Sequence, residues 1–235
     1  MEKNKSSFWL GFFVGLAAVS ILCFIGLLIF VLGQSESVDL AEKVQAQPQP
    51  QAQGQPEQPQ PEPVQPISEG EYVKGNKDAK VQIIEYSDYE CPFCARHTAT
   101  MQQLAQEYGD KVAIVFRNFP LSFHQNAQKA AEAAECAGLQ GKFWEMYDKL
   151  FALNESGTMS VDEFKKTAAN LGLNTSDFNN CLDNGDMTQK IANDMIGAQK
   201  AGVSGTPGTF INGKLLSGAL PIDEFKQEID NALNE

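Results

Sequence analysis

The sequence is poor in basic side chains and in histidine. Its 235 residues include 18 Lys and Arg against 30 Asp and Glu, which gives a formal net charge of −12, and there are two histidines. An acidic chain without a basic patch is poorly suited to binding nucleic acid. The sequence also has no phosphate-binding glycine fingerprint. These shortages argue against a nucleic-acid-binding protein.

Cysteine is scarce as well, with five residues in the chain. Two of them form the motif Cys91-Pro-Phe-Cys94, and the others stand singly. A four-ligand zinc site would need a second cysteine pair at ligand spacing, and the sequence has none. We therefore expect no metal and no cofactor, and we interpret the motif as a redox dithiol.

The dithiol stands between a predicted strand, Val81–Tyr86, and a predicted helix, Ala95–Tyr108. The fixed φ of Pro92 suits the first helical turn, so Cys91 is expected at the helix N-terminus. Unpaired N–H groups and the helix dipole favour a thiolate there. Cys94 lies about one turn further in and should be more covered. We predict that Cys91 is the nucleophile and Cys94 the resolving cysteine.

Composition divides the rest of the chain. Residues 1–7 are polar and carry two lysines, whereas residues 8–32 carry no charge and are long enough to span a bilayer as one helix. Residues 33–69 are rich in Gln and Pro and are predicted to be a disordered linker. Residues 70–235 have a globular composition.

The flanks of the apolar stretch predict its orientation. Lysines precede it and acidic residues follow it, so the positive-inside rule places the N-terminus in the cytoplasm. We expect a single-pass protein of the cell membrane whose globular segment lies outside the cytoplasm, where disulfides persist. A cleaved signal peptide is the alternative.

The globular segment is predicted to be α/β. A second strand, Val112–Phe119, completes a right-handed βαβ unit with parallel strands. Helical patterns then occupy about residues 122–201, which is too long for a loop and indicates a helical insertion. Two short strands joined at Asn212-Gly213 and an amphipathic helix follow. The predicted order is βαβ, helical insertion, ββα.

Four stretches of this segment carry the motifs of a known family. They are Glu85-Tyr-Ser-Asp-Tyr-Glu-Cys-Pro-Phe-Cys94, Asn118-Phe-Pro-Leu-Ser-Phe-His124, Glu135-Cys-Ala-Gly-Leu-Gln-Gly-Lys-Phe-Trp144 and Val203-Ser-Gly-Thr-Pro-Gly-Thr-Phe-Ile-Asn-Gly213. Together they resemble the DsbA-like thiol-disulfide oxidoreductases of the thioredoxin superfamily. The resemblance covers about residues 70–234 and implies a thioredoxin fold with a helical insertion.

The resemblance also implies roles for residues around the dithiol. Thr206 and Pro207 match the family's cis-proline loop, which binds an extended substrate peptide, and Pro92 and Phe93 complete the expected substrate-binding residues. Glu85 matches the buried acid that accepts the proton of the resolving cysteine. A solvated strand glutamate is the alternative for Glu85.

Three further positions carry weaker signals. His97 is predicted to be an exposed helix residue, and His124 is expected to have a structural role at a helix start. Phe93 departs from the histidine that strongly oxidising members of the family often carry between the cysteines. Phenylalanine cannot donate a hydrogen bond to a thiolate, so the redox strength is left open.

Cys136 and Cys181 both fall within the predicted helical insertion. In an oxidising compartment, two otherwise unexplained cysteines in one lobe most simply pair. We therefore predict a structural disulfide, with two buried free thiols as the alternative.

The predicted function is the introduction of disulfides into reduced exported proteins. A membrane quinone-linked partner is expected to reoxidise the dithiol, and the membrane anchor would keep the two close together. Two alternatives remain. The same site could serve as a reductase or isomerase, or the chain could be a non-catalytic, tethered peptide-binding module.

Overall fold

The computed structural model describes residues 60–235. The predicted transmembrane helix at 8–32, the N-terminal residues 1–7 and most of the predicted linker lie outside this range. Among the helices of residues 60–235, none combines the length and the apolar character needed to cross a bilayer.

Strands and helices follow one another in the predicted order. In chain order they are β1 (Lys74–Gly75), β2 (Val81–Ser87), α1 (Pro92–Tyr108), β3 (Val112–Asn118), α2 (Ala127–Gly138), α3 (Phe143–Ser156), α4 (Val161–Asn170), α5 (Thr175–Asn184), α6 (Thr188–Lys200), β4 (Gly208–Ile211), β5 (Lys214–Ser217) and α7 (Ile222–Asn234).

The strands of the described region form one mixed sheet in the order β1-β3-β2-β4-β5. β2 and β3 are parallel, β4 is antiparallel to β2, and β5 is antiparallel to β4. Helix α1 makes the crossover between the parallel strands, and the five helices α2 to α6 stand between β3 and β4. This arrangement confirms the predicted α/β order of βαβ, helical insertion and ββα. The two-residue strand β1, which pairs with β3, was not predicted because so short a strand leaves no periodic pattern.

The strand alternation of β2 determines which residues lie beneath α1. Val81 and Ile83 pack against Leu104 of α1 and Ile229 of α7. Ile84 and Tyr86, at even positions, lie on the opposite face, where they pack in one cluster with Ala198 of α6. Both faces of the sheet are therefore covered, and residues of β2 at odd positions are buried under α1.

The helical insertion has its own core, which is continuous with the sheet. Helix α2 contains six alanines in twelve residues, and ten of its residues are buried, because small side chains let neighbouring helices approach closely. Aromatic residues of α3 then reach the sheet: the ring of Tyr147 lies 5.2 Å from that of Phe116 in β3. Tyr89, just before the dithiol, packs 4.8 Å from Phe116. The insertion therefore supports the loop that carries the cysteines.

The packed region begins before the predicted boundary at residue 70. The Arg117 guanidinium donates hydrogen bonds to the carbonyl oxygens of Gln65 and Pro66 and to the carboxylate of Glu71. Ile67 packs against the core beside β2. A buried arginine needs several acceptors, and the final residues of the predicted linker supply them. Composition alone did not reveal this, because proline and glutamine are frequent in the same stretch.

Candidate active site

The two cysteines of the motif lie at the N-terminus of α1, directly after β2. Cys91 is the N-cap residue with extended backbone angles, and Pro92 is the first helical residue. The N–H of Cys91 donates to the carbonyl oxygen of Asp88 at 3.1 Å. Its own carbonyl oxygen accepts a hydrogen bond from the side chain of Asn154 at 3.2 Å, so α3 of the insertion also fixes this turn.

The two sulfurs are both reduced, and their surroundings favour opposite charge states. Hydrogen bonding from the Cys94 thiol lowers the pKa of Cys91 to about 5, and the backbone N–H groups of Cys94 and Phe93 contribute to the lowering against the effect of burial. Burial raises the pKa of Cys94 well above the ordinary thiol range. Cys91 is 4% exposed and Cys94 is fully buried. At neutral pH, Cys91 is therefore a thiolate and Cys94 a thiol.

The loop before β4 faces the dithiol. The Thr206–Pro207 peptide bond is cis. The Sγ atom of Cys91 lies 3.8 Å from the carbonyl oxygen of Thr206, although the two residues are 115 positions apart in the chain. The fold thus brings the predicted cis-proline loop into contact with the predicted nucleophile.

Glu85 lies within β2 on the face covered by α1. It is 2% exposed, and its Oε1 atom has no hydrogen-bond partner. Burial raises the pKa of Glu85 to about 7, while the Ser87 hydroxyl and the charge of Lys74 act in the opposite direction. The structure therefore excludes the solvated alternative for Glu85 and gives it a pKa suited to proton exchange near neutrality.

The exposed rim of the site is apolar. Phe93 is 54% exposed and Pro92 is also exposed. The guanidinium of Arg96 lies 4.7 Å from the centre of the Phe93 ring, which fits a cation–π contact. These side chains flank Cys91 at the start of α1 and form a surface that a peptide could contact.

A family model described as thioredoxin matches residues 68–231. The chain belongs to the thioredoxin family. Two crystal structures place it among the DsbA-like thiol-disulfide oxidoreductases. The thiol-disulfide exchange protein alpha-DsbA2 from Wolbachia pipientis is 25% identical, with a TM-score of 0.62 over 68% of this chain and 86% of that one. Oxidised BdbD from Bacillus subtilis is also 25% identical, with a TM-score of 0.65 over 74% of this chain and 99% of that one.

A thioredoxin-like oxidoreductase from Silicibacter pomeroyi is similar as well, at 28% identity and a TM-score of 0.62, over 72% of this chain and 95% of that one. Named relatives in sequence are longer proteins. The Na(+)/H(+) antiporter NhaA 1 of Salinispora arenicola is 36% identical over 163 residues, which are 69% of this chain and 24% of the antiporter. The chain thus spans about a quarter of the length of such relatives.

The structure of this thioredoxin-family chain contradicts the prediction for His97. The residue is 1% exposed, and its Nε2 atom lies 3.0 Å from the hydroxyl of Thr209 in β4. Burial lowers the pKa of His97 to about 4, so the ring is neutral at physiological pH. The prediction was wrong because position 97 lies on the same helical face as Cys94, and that face packs on the sheet.

His124 has the structural contact that was expected, and it reveals two acids that sequence reasoning missed. Its Nδ1 atom lies 2.8 Å from the carboxylate of Asp88, which also accepts the backbone N–H of Leu121. The Glu90 carboxylate accepts hydrogen bonds from the backbone and side chain of Asn126. These bonds fix the turn before Cys91 to the loop that leads into α2. The sequence signal for these contacts was the presence of two acids, Asp88 and Glu90, directly before Cys91.

Cys136 of α2 and Cys181 of α5 are joined by a disulfide, with their Cα atoms 5.9 Å apart. The alternative of two free thiols is therefore excluded. Within residues 60–235, no group of three or more His, Cys, Asp or Glu side chains is arranged to hold a metal ion.

Proposed function

We propose that the chain is an extracytoplasmic thiol-disulfide oxidoreductase that introduces disulfides into exported proteins through Cys91 and Cys94. The observation that carries the proposal is the opposite ionisation of two adjacent sulfurs. The pKa of Cys91 is lowered to about 5, and that of Cys94 is raised. A stable thiolate is a good leaving group, which favours transfer of the disulfide to a substrate.

The reaction starts from the oxidised dithiol. A substrate thiolate attacks Sγ of Cys91, the bond between Cys91 and Cys94 breaks, and the Cys94 sulfur leaves and takes up a proton. A second thiolate of the substrate then attacks the substrate sulfur of this mixed disulfide. The substrate disulfide forms, Cys91 leaves as a thiolate, and two electrons have passed from the substrate to the enzyme.

The proposed substrates are reduced, unfolded segments of exported proteins. An extended peptide would pass along the cis-proline loop, where the carbonyl oxygen of Thr206 lies beside Cys91. The exposed ring of Phe93 and the adjacent Pro92 would contact apolar side chains on either side of the reacting cysteine. Backbone pairing of this kind accepts many sequences, which suits an enzyme with many substrates.

The proposed location is the outer face of the cell membrane. Supporting it are the uncharged stretch at 8–32, the lysines before it and the Gln- and Pro-rich residues after it. A membrane quinone-linked protein would reoxidise the dithiol, and anchoring would keep the two together. Protease added to intact cells should degrade the globular segment, whereas a globular segment recovered intact in the cytosol would reject this location.

The proposed activity is tested with a reduced, unfolded protein whose oxidation restores a measurable function. The oxidised enzyme should restore it, Cys91→Ser should abolish the effect, and Cys94→Ala should accumulate a mixed disulfide with the substrate. Asp162→Asn, a change at an exposed position of α4, is the control and should keep the wild-type activity. Oxidation that survives Cys91→Ser would overturn the proposal.

A second candidate is the same chemistry in the direction of reduction or isomerisation. Phe93 favours it, because no side chain between the cysteines donates a hydrogen bond to the thiolate. Titration of the dithiol against glutathione separates the two. A potential near the value of about −120 mV typical of DsbA supports oxidation, and one near the thioredoxin value of about −270 mV supports reduction.

A further alternative is a non-catalytic peptide-binding module. The lowered pKa of Cys91 argues against it, because peptide binding without chemistry does not require a reactive sulfur. Capture of reduced peptides by a Cys91→Ala/Cys94→Ala variant to the same extent as by the wild-type chain would favour it over either redox activity.

A further inference from the structure

The proton of Cys94 has no direct route to solvent. Cys94 and the neighbouring polar side chains Ser87 and Glu85 are 0%, 1% and 2% exposed. The proposed reaction nevertheless requires this sulfur to gain a proton when the disulfide opens and to lose it when the disulfide forms. The groups placed to exchange this proton with Cys94 are therefore the buried side chains around it.

Ser87 shares the buried layer between β2 and α1 with the two titratable groups. Glu85 and Ser87 are two positions apart in β2, so their side chains lie on the same face of the sheet, which is the face beneath α1. The backbone of Ser87 is fixed because its carbonyl oxygen accepts the N–H of Phe119 at 2.8 Å. Its hydroxyl is close enough to lower the pKa of both the Glu85 carboxyl group and the Cys94 thiol.

The Ser87 hydroxyl is also uncommitted. Although it lies near both groups, it makes no hydrogen bond in this structure, and Oε1 of Glu85 makes none either. Buried hydroxyls normally have a partner, and an unpaired one in a native core requires an explanation. A hydroxyl that is both a donor and an acceptor, and that can rotate between two neighbours, is suited to passing a proton.

Other polar groups beneath α1 are occupied or less suitable. The Thr98 hydroxyl donates to the carbonyl oxygen of Cys94 at 3.1 Å, and the Thr209 hydroxyl is bonded to His97. The ring of His97 is a weaker base than the Glu85 carboxylate, because burial lowers the pKa of His97 to about 4. Glu85 is thus the better acceptor. The Thr206 hydroxyl also lies near Cys94 without a hydrogen-bond partner, but of these two hydroxyls only that of Ser87 acts on the pKa of both Cys94 and Glu85.

We propose that Ser87 relays the proton between Cys94 and Glu85. The inference rests on the proposed function and names a further residue for the same reaction. When the disulfide opens, the Cys94 thiolate takes the hydroxyl proton of Ser87, which takes the carboxyl proton of Glu85. The products are a Cys94 thiol and a Glu85 carboxylate. When Cys94 attacks a mixed disulfide at Cys91, the two protons move in the opposite direction and the substrate leaves as a thiolate.

The test measures the attack of Cys94 on a mixed disulfide at Cys91. Reduced protein is mixed with excess oxidised glutathione, which forms a mixed disulfide at Cys91, and the release of glutathione by attack of Cys94 is followed from pH 5 to pH 9. In the wild-type chain, the rate should rise with pH around a midpoint near 7, because the Glu85 carboxylate must be free to accept the proton. Ser87→Ala should slow this step by about tenfold or more and remove the midpoint.

Matched variants separate a relay from a structural role. Ser87→Thr keeps the hydroxyl and should restore the rate and its pH dependence. Tyr89→Phe removes another buried hydroxyl without a partner and should leave both unchanged. Ser87→Gly is a second variant without the hydroxyl and should reproduce the loss if Ser87→Ala is unstable. Glu85→Gln should remove the midpoint, and adding Ser87→Ala to it should cause little further slowing.

The outcomes distinguish this inference from the proposed function. A wild-type chain that forms no mixed disulfide and oxidises no substrate defeats the proposed function. A wild-type chain that exchanges disulfides, with Ser87→Ala or Ser87→Gly retaining its rate and pH profile, overturns the relay and leaves the function standing.

Discussion

At the scale of single residues, two sulfurs three positions apart differ because of what each contacts. Cys91 is at the helix N-terminus and receives hydrogen bonds from the Cys94 thiol and from backbone N–H groups. Cys94 is enclosed by the core. The first environment lowers the pKa of Cys91 and the second raises the pKa of Cys94, which are the two shifts that the proposed reaction requires. The two environments are separated by about one turn of helix.

The lowered pKa of Cys91 gives a first prediction. Only the thiolate reacts with iodoacetamide, so the alkylation rate of the reduced chain should reach half its plateau near pH 5. The rate should be almost constant from pH 7 to pH 8. Mass spectrometry should locate the label on Cys91, with Cys94 unmodified. A midpoint near the ordinary thiol value of about 8.5 would contradict the environment described above.

Burial of Glu85 gives a second prediction, on stability. Its folded pKa of about 7 lies above the ordinary value, so the folded state retains a proton that the unfolded state releases. The contribution of Glu85 to the free energy of unfolding should therefore fall by about 3 kcal/mol as pH rises from about 4.5 to 7. The lowered pKa of His97 acts in the opposite direction over much of this range, so the Glu85 contribution is measured as the difference between the wild-type chain and Glu85→Gln, and this difference should fall with pH.

The measurement is urea denaturation at several pH values on oxidised protein, in which neither active-site cysteine titrates. Glu155→Gln, a change at an exposed position, is the control and should keep the wild-type slope. A difference between the wild-type chain and Glu85→Gln that stays constant from about pH 4.5 to 7 would show that burial does not raise the pKa of Glu85.

At the scale of elements, helix α1 explains both a successful prediction and a failed one. Its start near Pro92 was predictable because the proline and the preceding strand are local signals. The burial of His97 was not, because the sequence of a polar helix does not show how wide a face the sheet will cover. Cys94, His97 and Met101 lie on the covered face.

The Cys136–Cys181 disulfide, which joins α2 to α5, gives a third prediction. In a Cys91→Ala/Cys94→Ala background, replacing Cys136 and Cys181 by alanine should lower the free energy of unfolding by about 3 to 4 kcal/mol. The physical reason is that the bond closes a loop of 45 residues and restricts the unfolded chain. Reductant should weaken the parent protein to a similar extent and have no effect on the alanine variant, as judged by urea denaturation. Equal stability of the two proteins would contradict the prediction.

At the scale of the whole molecule, the thioredoxin-type sheet and the helical insertion meet at the dithiol. The side chain of Asn154 in α3 donates a hydrogen bond to the carbonyl oxygen of Cys91. The cis-proline loop, from a distant part of the sequence, brings the carbonyl oxygen of Thr206 next to the Cys91 sulfur. The turn before the cysteines is further fixed through Asp88 and His124. The site therefore depends on the packing of three separate segments.

The attachment of residues 60–71 gives a fourth prediction. Arg117→Ala removes the donors that hold Gln65, Pro66 and Glu71, so these residues should detach and the free energy of unfolding should fall by about 3 kcal/mol. The amide of Glu62 donates to the carbonyl oxygen of Lys200 and that of Ile67 to the side chain of Gln82, so hydrogen exchange at both amides should accelerate. Arg96→Ala removes an exposed arginine and is the matched control. Unchanged exchange at both amides in Arg117→Ala would show that Arg117 does not hold the segment.

The sequence by itself determined the order of the elements, the position of the dithiol and the ionised state expected for Cys91, because strand alternation, helix start signals and the helix dipole are all local. Only the tertiary structure decided that Glu85 and His97 are buried, that Thr206 contacts Cys91 and that Arg117 holds residues before position 70. Each of these depends on which distant segment covers a given face. The local sequence of one segment contains no pattern that shows which distant segment will pack on it.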